Sequence, residues 1–271
     1  MTRHPLQDPK LAVPLLAVLV LVNLPFLHVA FRGPREVTQA VPFSDNFERA
    51  ELGNDYWSNG GNYRIVSGQL YAPGSGNNPL WLKARLPADV KVEFDVRSEG
   101  RDGDIKWEMF GDGRNHSTGY LFLFGWHHNV GSLLCKLDEH ALTAGELKAR
   151  LASVARPFPV QQSGLEALFE SIRRPFVLAG ARADLDKLEA GTYYKTETPF
   201  VVRRDDLRVL KSHVYHVVVT KKAGVIRWEM DGQLAIEMQD PAPLSGPGHD
   251  RFAFSTWAND TWFDNLKITA L

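Results

Sequence analysis

The chain has 271 residues, of which 44% are apolar, enough for one large domain with a substantial core. Its 31 basic and 32 acidic side chains leave a formal charge of −1, so there is no basic field to attract nucleic acid. The single cysteine, Cys135, excludes an internal disulfide and a cysteine-built zinc site, and within Leu133-Leu134-Cys135 it reads as a buried, inert thiol.

Residues 1–10 form a short tail carrying Arg3 and Lys10. Residues 11–31 are almost continuously apolar, broken by Pro14, Asn23, Pro25 and His28 and followed by Arg32 and Arg35. A bilayer crossing needs ~20 such residues, whereas the apolar core of a cleaved signal has about 7–15. The segment predicts an uncleaved transmembrane anchor with the remainder outside the cytoplasm; secretion after signal cleavage is the alternative. Basic residues on both sides leave its orientation open. Residues 32–42, punctuated by Gly33-Pro34 and Pro42, read as a linker.

From residue 43 to 137 short strands are expected, separated by Gly, Asn, Asp and Pro. Tyr63-Arg64-Ile65-Val66 turns at Ser67-Gly68 into Gln69-Leu70-Tyr71, and the polar loop 73–79 leads to Leu80-Trp81-Leu82. Val90 to Arg97 alternates strictly, the period of a strand with one wet face. Asp104 to Phe110 is a further strand, with Ile105, Trp107 and Met109 on one face. The run 120–124 is apolar enough to be buried on both sides.

The rhythm changes over 141–192, where helical spacing takes over. Ser163 with Glu166 makes a capping box ahead of Leu165, Leu168, Phe169 and Ile172, and Pro175 is expected to stop that helix. This reads as a helical insertion in a loop of a β domain spanning 43–271. Strands resume at 199–202, 215–219 and 225–230, the last turning at Asp231-Gly232, a strong hairpin signal. Ile105-Lys106-Trp107-Glu108-Met109 is echoed by Ile226-Arg227-Trp228-Glu229-Met230, which reads as two strands meeting the same burial demand rather than a duplicated unit.

The opening run Phe43-Ser44-Asp45-Asn46-Phe47-Glu48-Arg49, continued by Leu52 and Trp57, and the closing Phe263-Asp264-Asn265-Leu266-Lys267-Ile268 together resemble the concanavalin A-like superfamily. That superfamily holds legume-type lectins, laminin G modules and family 16 glycoside hydrolases. The resemblance covers roughly 41–137 and 211–271, and implies an all-β, antiparallel jelly-roll sandwich. Because this fold serves binders, enzymes and structural modules alike, it does not decide the function. In many such sandwiches a structural calcium bridges the first and last strands. By that resemblance Asp264 is a ligand and Asp45 a helper, with plain hydrogen bonding as the alternative; no other cofactor is implied.

The catalytic pattern of family 16 would be E-x-D-x-E or E-x-D-x-x-E, with alternate carboxylates on one sheet face. Glu93, Asp95 and Glu99 miss both, since Arg97 stands in the shorter pattern and Glu99 comes one residue late. Lys91, Glu93, Asp95 and Arg97 read instead as a charge-paired wet face. Asp104 and Glu108, flanking Lys106 on one strand face, are the remaining acid–base candidates; a solvated outer face is the plainer reading.

Aromatic, imidazole and amide groups, which suit sugars, concentrate in Asn115, His116, Tyr120, Trp126, His127 and Asn129. His127 and His128 are adjacent, which makes joint metal chelation from a strand unfavourable. Three functions follow: a membrane-anchored, extracytoplasmic carbohydrate-binding domain, a glycoside hydrolase-like enzyme, and a cell-envelope interaction module whose helical insertion docks a protein partner.

Overall fold

A computed structural model of the chain describes residues 9–31, 37–139 and 200–271, together with scattered positions between 175 and 186. The N-terminal apolar segment is one helix, α1 (Pro9–Phe31), whose side chains are described over 13–24, where Val13, Leu16, Leu19 and Val22 are exposed. Among the described residues no helix is long and apolar enough to cross a membrane, so the crossing expected over 11–31 is not shown. The helical insertion expected over 141–192 lies outside the described residues except at a few helical positions. One of these is Pro175, expected to end a helix but itself at a helical position.

Fifteen described strands form two antiparallel sheets. One contains β1 (Phe43–Asp45), β3 (Arg64–Val66), β4 (Gln69–Pro73), β6 (Val90–Ser98), β11 (Tyr215–Lys222), β12 (Val225–Met230), β13 (Gln233–Gln239) and β15 (Asp260–Ala270). Its order is β13-β12-β11-β6-β15-β4-β3, with β1 added against β15. The other contains β2 (Tyr56–Trp57), β5 (Leu80–Leu82), β7 (Ile105–Gly111), β8 (Tyr120–Gly125), β9 (Gly131–Lys136), β10 (Phe200–Arg204) and β14 (Arg251–Thr256), in the order β10-β9-β8-β7-β14-β5-β2. Strands far apart in sequence lie side by side, as β6 does with β11 and β15, so the sheets are made by crossovers rather than hairpins alone.

Local chemistry explains the hairpins. Ser67-Gly68, Ala223-Gly224 and Asp231-Gly232 all have positive φ at both positions, the geometry whose twist matches paired strands. The β6 burial pattern alternates along its whole length, as the sequence requires, so Val90, Val92, Phe94 and Val96 enter the core. The two echoing strands end up in opposite sheets, and their tryptophans meet: Trp107 and Trp228 pack edge to face at 5.0 Å. Phe94, Phe122, Phe252, Phe254 and Phe263 complete this aromatic centre. Such pairs add about 0.5–1.5 kcal/mol each beyond the area they bury.

The seven-stranded sheet is buried on both faces through β7, β8, β9 and β14. Leu121, Leu123, Leu133, Cys135 and Val201 form a second apolar cluster on the face turned away from the main core. The outer face of β7 is therefore not the solvated surface that its Asp104-x-Lys106-x-Glu108 alternation suggests.

Candidate functional site

On β7 the odd-numbered side chains Ile105, Trp107 and Met109 enter the core, leaving Lys106 and Glu108 on the other face, with Asp104 just before them. Lys106 Nζ donates to Asn77 Oδ1 at 2.9 Å and lies 3.3 Å from both Asp104 and Glu139 carboxylates. Asn77 Nδ2 donates to Glu139 Oε1 at 3.1 Å, and His116 Nε2 stands 3.4 Å from Glu139 Oε2. The row closes where His116 Nδ1 lies 3.9 Å from Glu108. Glu108 is wholly enclosed and accepts from Ser117 N at 3.0 Å, Thr118 N at 2.8 Å and Thr118 Oγ1 at 3.1 Å.

Burial pushes the Glu108 carboxyl up to about 7, against the opposing pull of His116 and the Ser117 and Thr118 N–H groups. Burial also acts to raise Glu139, but bonding to His116 and the charge of Lys106 outweigh it and hold that carboxyl at about 2. Asp104 is raised by burial, with Lys106 opposing. Glu108, whose oxygens clamp the 115–118 loop from a fully enclosed position, has no surface on which to meet a substrate. Its geometry is that of a loop anchor.

Asp104 holds a different position. Its own N–H donates to Gly125 O at 3.0 Å, while its carboxylate accepts the N–H of Trp257. It thus ties two loops, 125–130 and 257–259, at one end of the sandwich. The first loop is strained: His127, His128 and Asn129 have φ of 46°, 61° and 61°, three consecutive left-handed residues that carry side chains. Each such residue costs roughly 1–2 kcal/mol relative to right-handed geometry, and strain of this kind tends to gather at functional sites.

Asn129 clamps the turn, donating to Val209 O at 2.8 Å and accepting Val209 N–H at 2.8 Å. The turn presents His127 and His128 to solvent, with His128 Nδ1 3.4 Å from Asp102. Trp126 rests half-buried on the second apolar cluster, with the Arg203 guanidinium 4.5 Å above its ring. Beside them Trp257 is 56% exposed, although its backbone is fixed by Asp104 and by Gly76 N–H donating to its carbonyl at 2.9 Å.

The six residues expected to contact a ligand are therefore divided. Trp126, His127 and Asn129 share this rim. Asn115 lies past the far end of β7, where its side chain donates to Asp112 at 2.7 Å, and His116 folds back over the buried row. Tyr120 is not a surface residue: it belongs to the buried run of β8, donates to Asp240 at 2.6 Å and accepts Leu244 N–H at 2.9 Å. Burial and Asp240 hold its phenol protonated. The two halves of the segment separate because β8 and its neighbouring loops put them at opposite ends. Trp257 is not singled out as a site residue in the sequence; the signal that could have found it is an aromatic placed immediately before Ala258-Asn259, the bend between β14 and β15.

Asp45 and Asp264, the residues expected to hold a structural calcium, are each engaged by protein donors. Arg49 grips both Asp45 oxygens, Tyr56 adds a hydrogen bond at 2.8 Å and Phe47 N–H another at 2.8 Å. Burial works against ionisation there, but these donors prevail and hold Asp45 below its ordinary range. Asp264 accepts Gln69 Nε2 at 3.0 Å and Asn265 N–H at 2.8 Å. Among the described residues no group of three or more His, Cys, Asp or Glu side chains is arranged to hold a metal.

No protein-family model and no curated protein matches the sequence. Among solved structures, the chain is similar to a carbohydrate-binding module from Bacillus subtilis, with 11% identity, a TM-score of 0.49, and 81% of this chain and 98% of that one covered. It is similar to the Emp47p carbohydrate recognition domain at 11% identity and a TM-score of 0.46, covering 85% and 96%. A Bacillus subtilis protein of unknown function with a galectin-like fold gives 11%, 0.45, 86% and 96%. At such distances these likenesses assign no activity to the chain; its two-sheet antiparallel sandwich rests on its own strand pairing.

Proposed function

We propose that the protein is a carbohydrate-binding sandwich whose site is the rim built by the 99–104, 125–130 and 257–259 loops. The observation that carries this reading is Trp257, a large aromatic side chain exposed to solvent while its backbone is held by Asp104. A rigidly mounted indole suits the apolar face of a sugar ring, being wide, apolar and cheap in entropy to hold. Around it, the His128–Asp102 pair and His127 supply donors and acceptors for hydroxyl groups. The apolar 11–31 segment supports export of the domain beyond the cytoplasm, either tethered or released.

The test is binding of the full chain to a broad glycan array, with and without chelator. Selective binding that falls at least tenfold in Trp257→Ala, with the melting temperature unchanged, supports the reading. Binding abolished by chelator would bring in a calcium ion near Asp264. A blank array from well-folded protein would sink the proposal.

A further inference from the structure

The stretch before β1 is strapped to one end of the sandwich. Thr38 N–H and Gln39 N–H donate to Lys83 O at 3.0 and 3.2 Å, and Gln39 forms a parallel bridge with Ala84. Gln39 Nε2 adds a bond to Asp55 at 2.7 Å. Lys83 lies at the base of the sandwich, where β7 finishes and β14 begins: Leu86 N–H donates to Asp250 O at 2.7 Å, and Arg251 pairs with Gly111. Trp257 follows the other end of β14, where Thr256 pairs with Ile105 at the start of β7. The strap and the rim are therefore at opposite ends. The nine residues of β6 run between those ends, from Val90 beside Ala270 to Ser98 beside Thr261, and span about 26 Å.

The helix ahead of the strap is apolar on every side. Leu16, Val18, Leu19, Val20, Leu21 and Val22 are each between 45% and 67% exposed, so the sandwich does not cover them. A helix with apolar side chains all round calls for an apolar medium, which the acyl chains of a bilayer supply. From Phe31 to Val37 the chain reaches at most ~22 Å even fully extended. That leash is shorter than the sandwich is long. A sandwich leashed by its base cannot turn over to lay the opposite end on the surface that holds α1.

We infer that the domain is mounted base-down on a bilayer that holds α1, with the Lys83–Arg85 end facing the membrane and the Trp257 rim on the far side. The rim then meets glycan chains that stand free of that membrane, not sugars carried by headgroups of the same leaflet. The nature of the ligand rests on the glycan reading above; the direction in which the rim faces rests on the strap and the short leash alone.

The test reconstitutes the full chain into phosphatidylcholine vesicles whose headgroups carry a nitroxide, a short-range quencher of fluorescence. Cys135 is buried, so one introduced cysteine can be labelled without it. Arg85→Cys puts a fluorophore at the base and Leu210→Cys puts one at the rim, beside the Val209 that Asn129 holds; both positions are exposed. Quenching at 85 is expected to exceed that at 210 at least threefold. A flexible insertion of about thirty Gly and Ser residues after Gly33 lengthens the leash by ~30 Å and is expected to bring that ratio towards one. Equal quenching at the two positions, stronger quenching at 210, a ratio unmoved by the insertion, or a chain that stays off the vesicles overturns the inference. A blank glycan array beside the expected ratio removes the glycan reading alone, whereas a reversed ratio beside a positive array removes the mounting alone.

Discussion

Lys136 and Asp240 form an ion pair at 2.9 Å in which neither side chain has exposed surface. Lys136 also donates to Ala242 O at 2.7 Å, and Asp240 accepts both the Tyr120 hydroxyl at 2.6 Å and Ala242 N–H at 2.9 Å. The pair thus fastens the loop after β13 to the seven-stranded sheet. Asp240→Asn leaves a buried cation without its counter-charge and is expected to destabilise by about 3–5 kcal/mol in urea unfolding. Adding Lys136→Met removes that cation while Asn keeps an acceptor, and most of the loss should return. A double variant as unstable as the single would show that hydrogen bonding, not charge, holds the loop.

The buried Glu108 makes stability depend on pH in an unusual direction. Its folded-state carboxyl sits at about 7, above its ordinary 4.5, so the folded protein binds this proton more tightly than the unfolded chain. Stability from this group is full below about pH 4.5, declines as pH rises, and is flat above about pH 7. Glu139, held at about 2, has the opposite sign, its contribution being lost as pH falls from about 4.5 towards 2. The windows do not overlap. Glu108→Gln is expected to remove the decline between about pH 4.5 and 7, a change of a few kcal/mol in the wild-type-minus-variant difference. An identical pH profile in the variant would assign the slope elsewhere.

In the proposed glycan site Asp104 acts by positioning Trp257, whose N–H it accepts, rather than as a ligand contact. Asp104→Ala is therefore expected to weaken glycan binding about as much as Trp257→Ala, roughly tenfold. The double variant should lose no more than either single change, since coupled residues are not additive. Fully additive losses would make Asp104 an independent contact.

The left-handed turn offers a third kind of check. His128→Gly places glycine where φ is already 61°, and should leave stability unchanged or raise it by about 1 kcal/mol. It also removes an imidazole from the rim, so binding should fall while the melting temperature holds or climbs. A drop in both would mean that the His128–Asp102 pair is structural, which an exposed pair at 3.4 Å seldom is.

Much of the architecture is legible locally. The alternation of Val90 to Arg97 reappears as the burial pattern of β6, and Ser67-Gly68 and Asp231-Gly232 turn where their φ preferences allow. The buried run from Tyr120 also follows from composition, which makes Tyr120 a core residue despite its polar hydroxyl. The outer face of β7 misleads for the same reason that β6 does not. Alternating charge looks identical in sequence whether it meets water or, as with Lys106 and Glu108, a cover of Asn77, His116 and Glu139.

The sequence by itself determined many of the strands and several of their turns, because each depends on neighbours within a few residues, while the sandwich class came from the resemblance of its first and last strands to a known superfamily. Only the tertiary structure decided where a ligand could be met. Trp257 becomes a candidate site residue because β14 ends beside the start of β7, where Asp104 accepts its N–H across a gap of 153 positions. Asn115 and His116 leave the rim because the loop after β7 folds over a charged face. Both outcomes are set by which strand ends converge and which faces are covered, and such long-range pairings leave no mark in a window of adjacent residues.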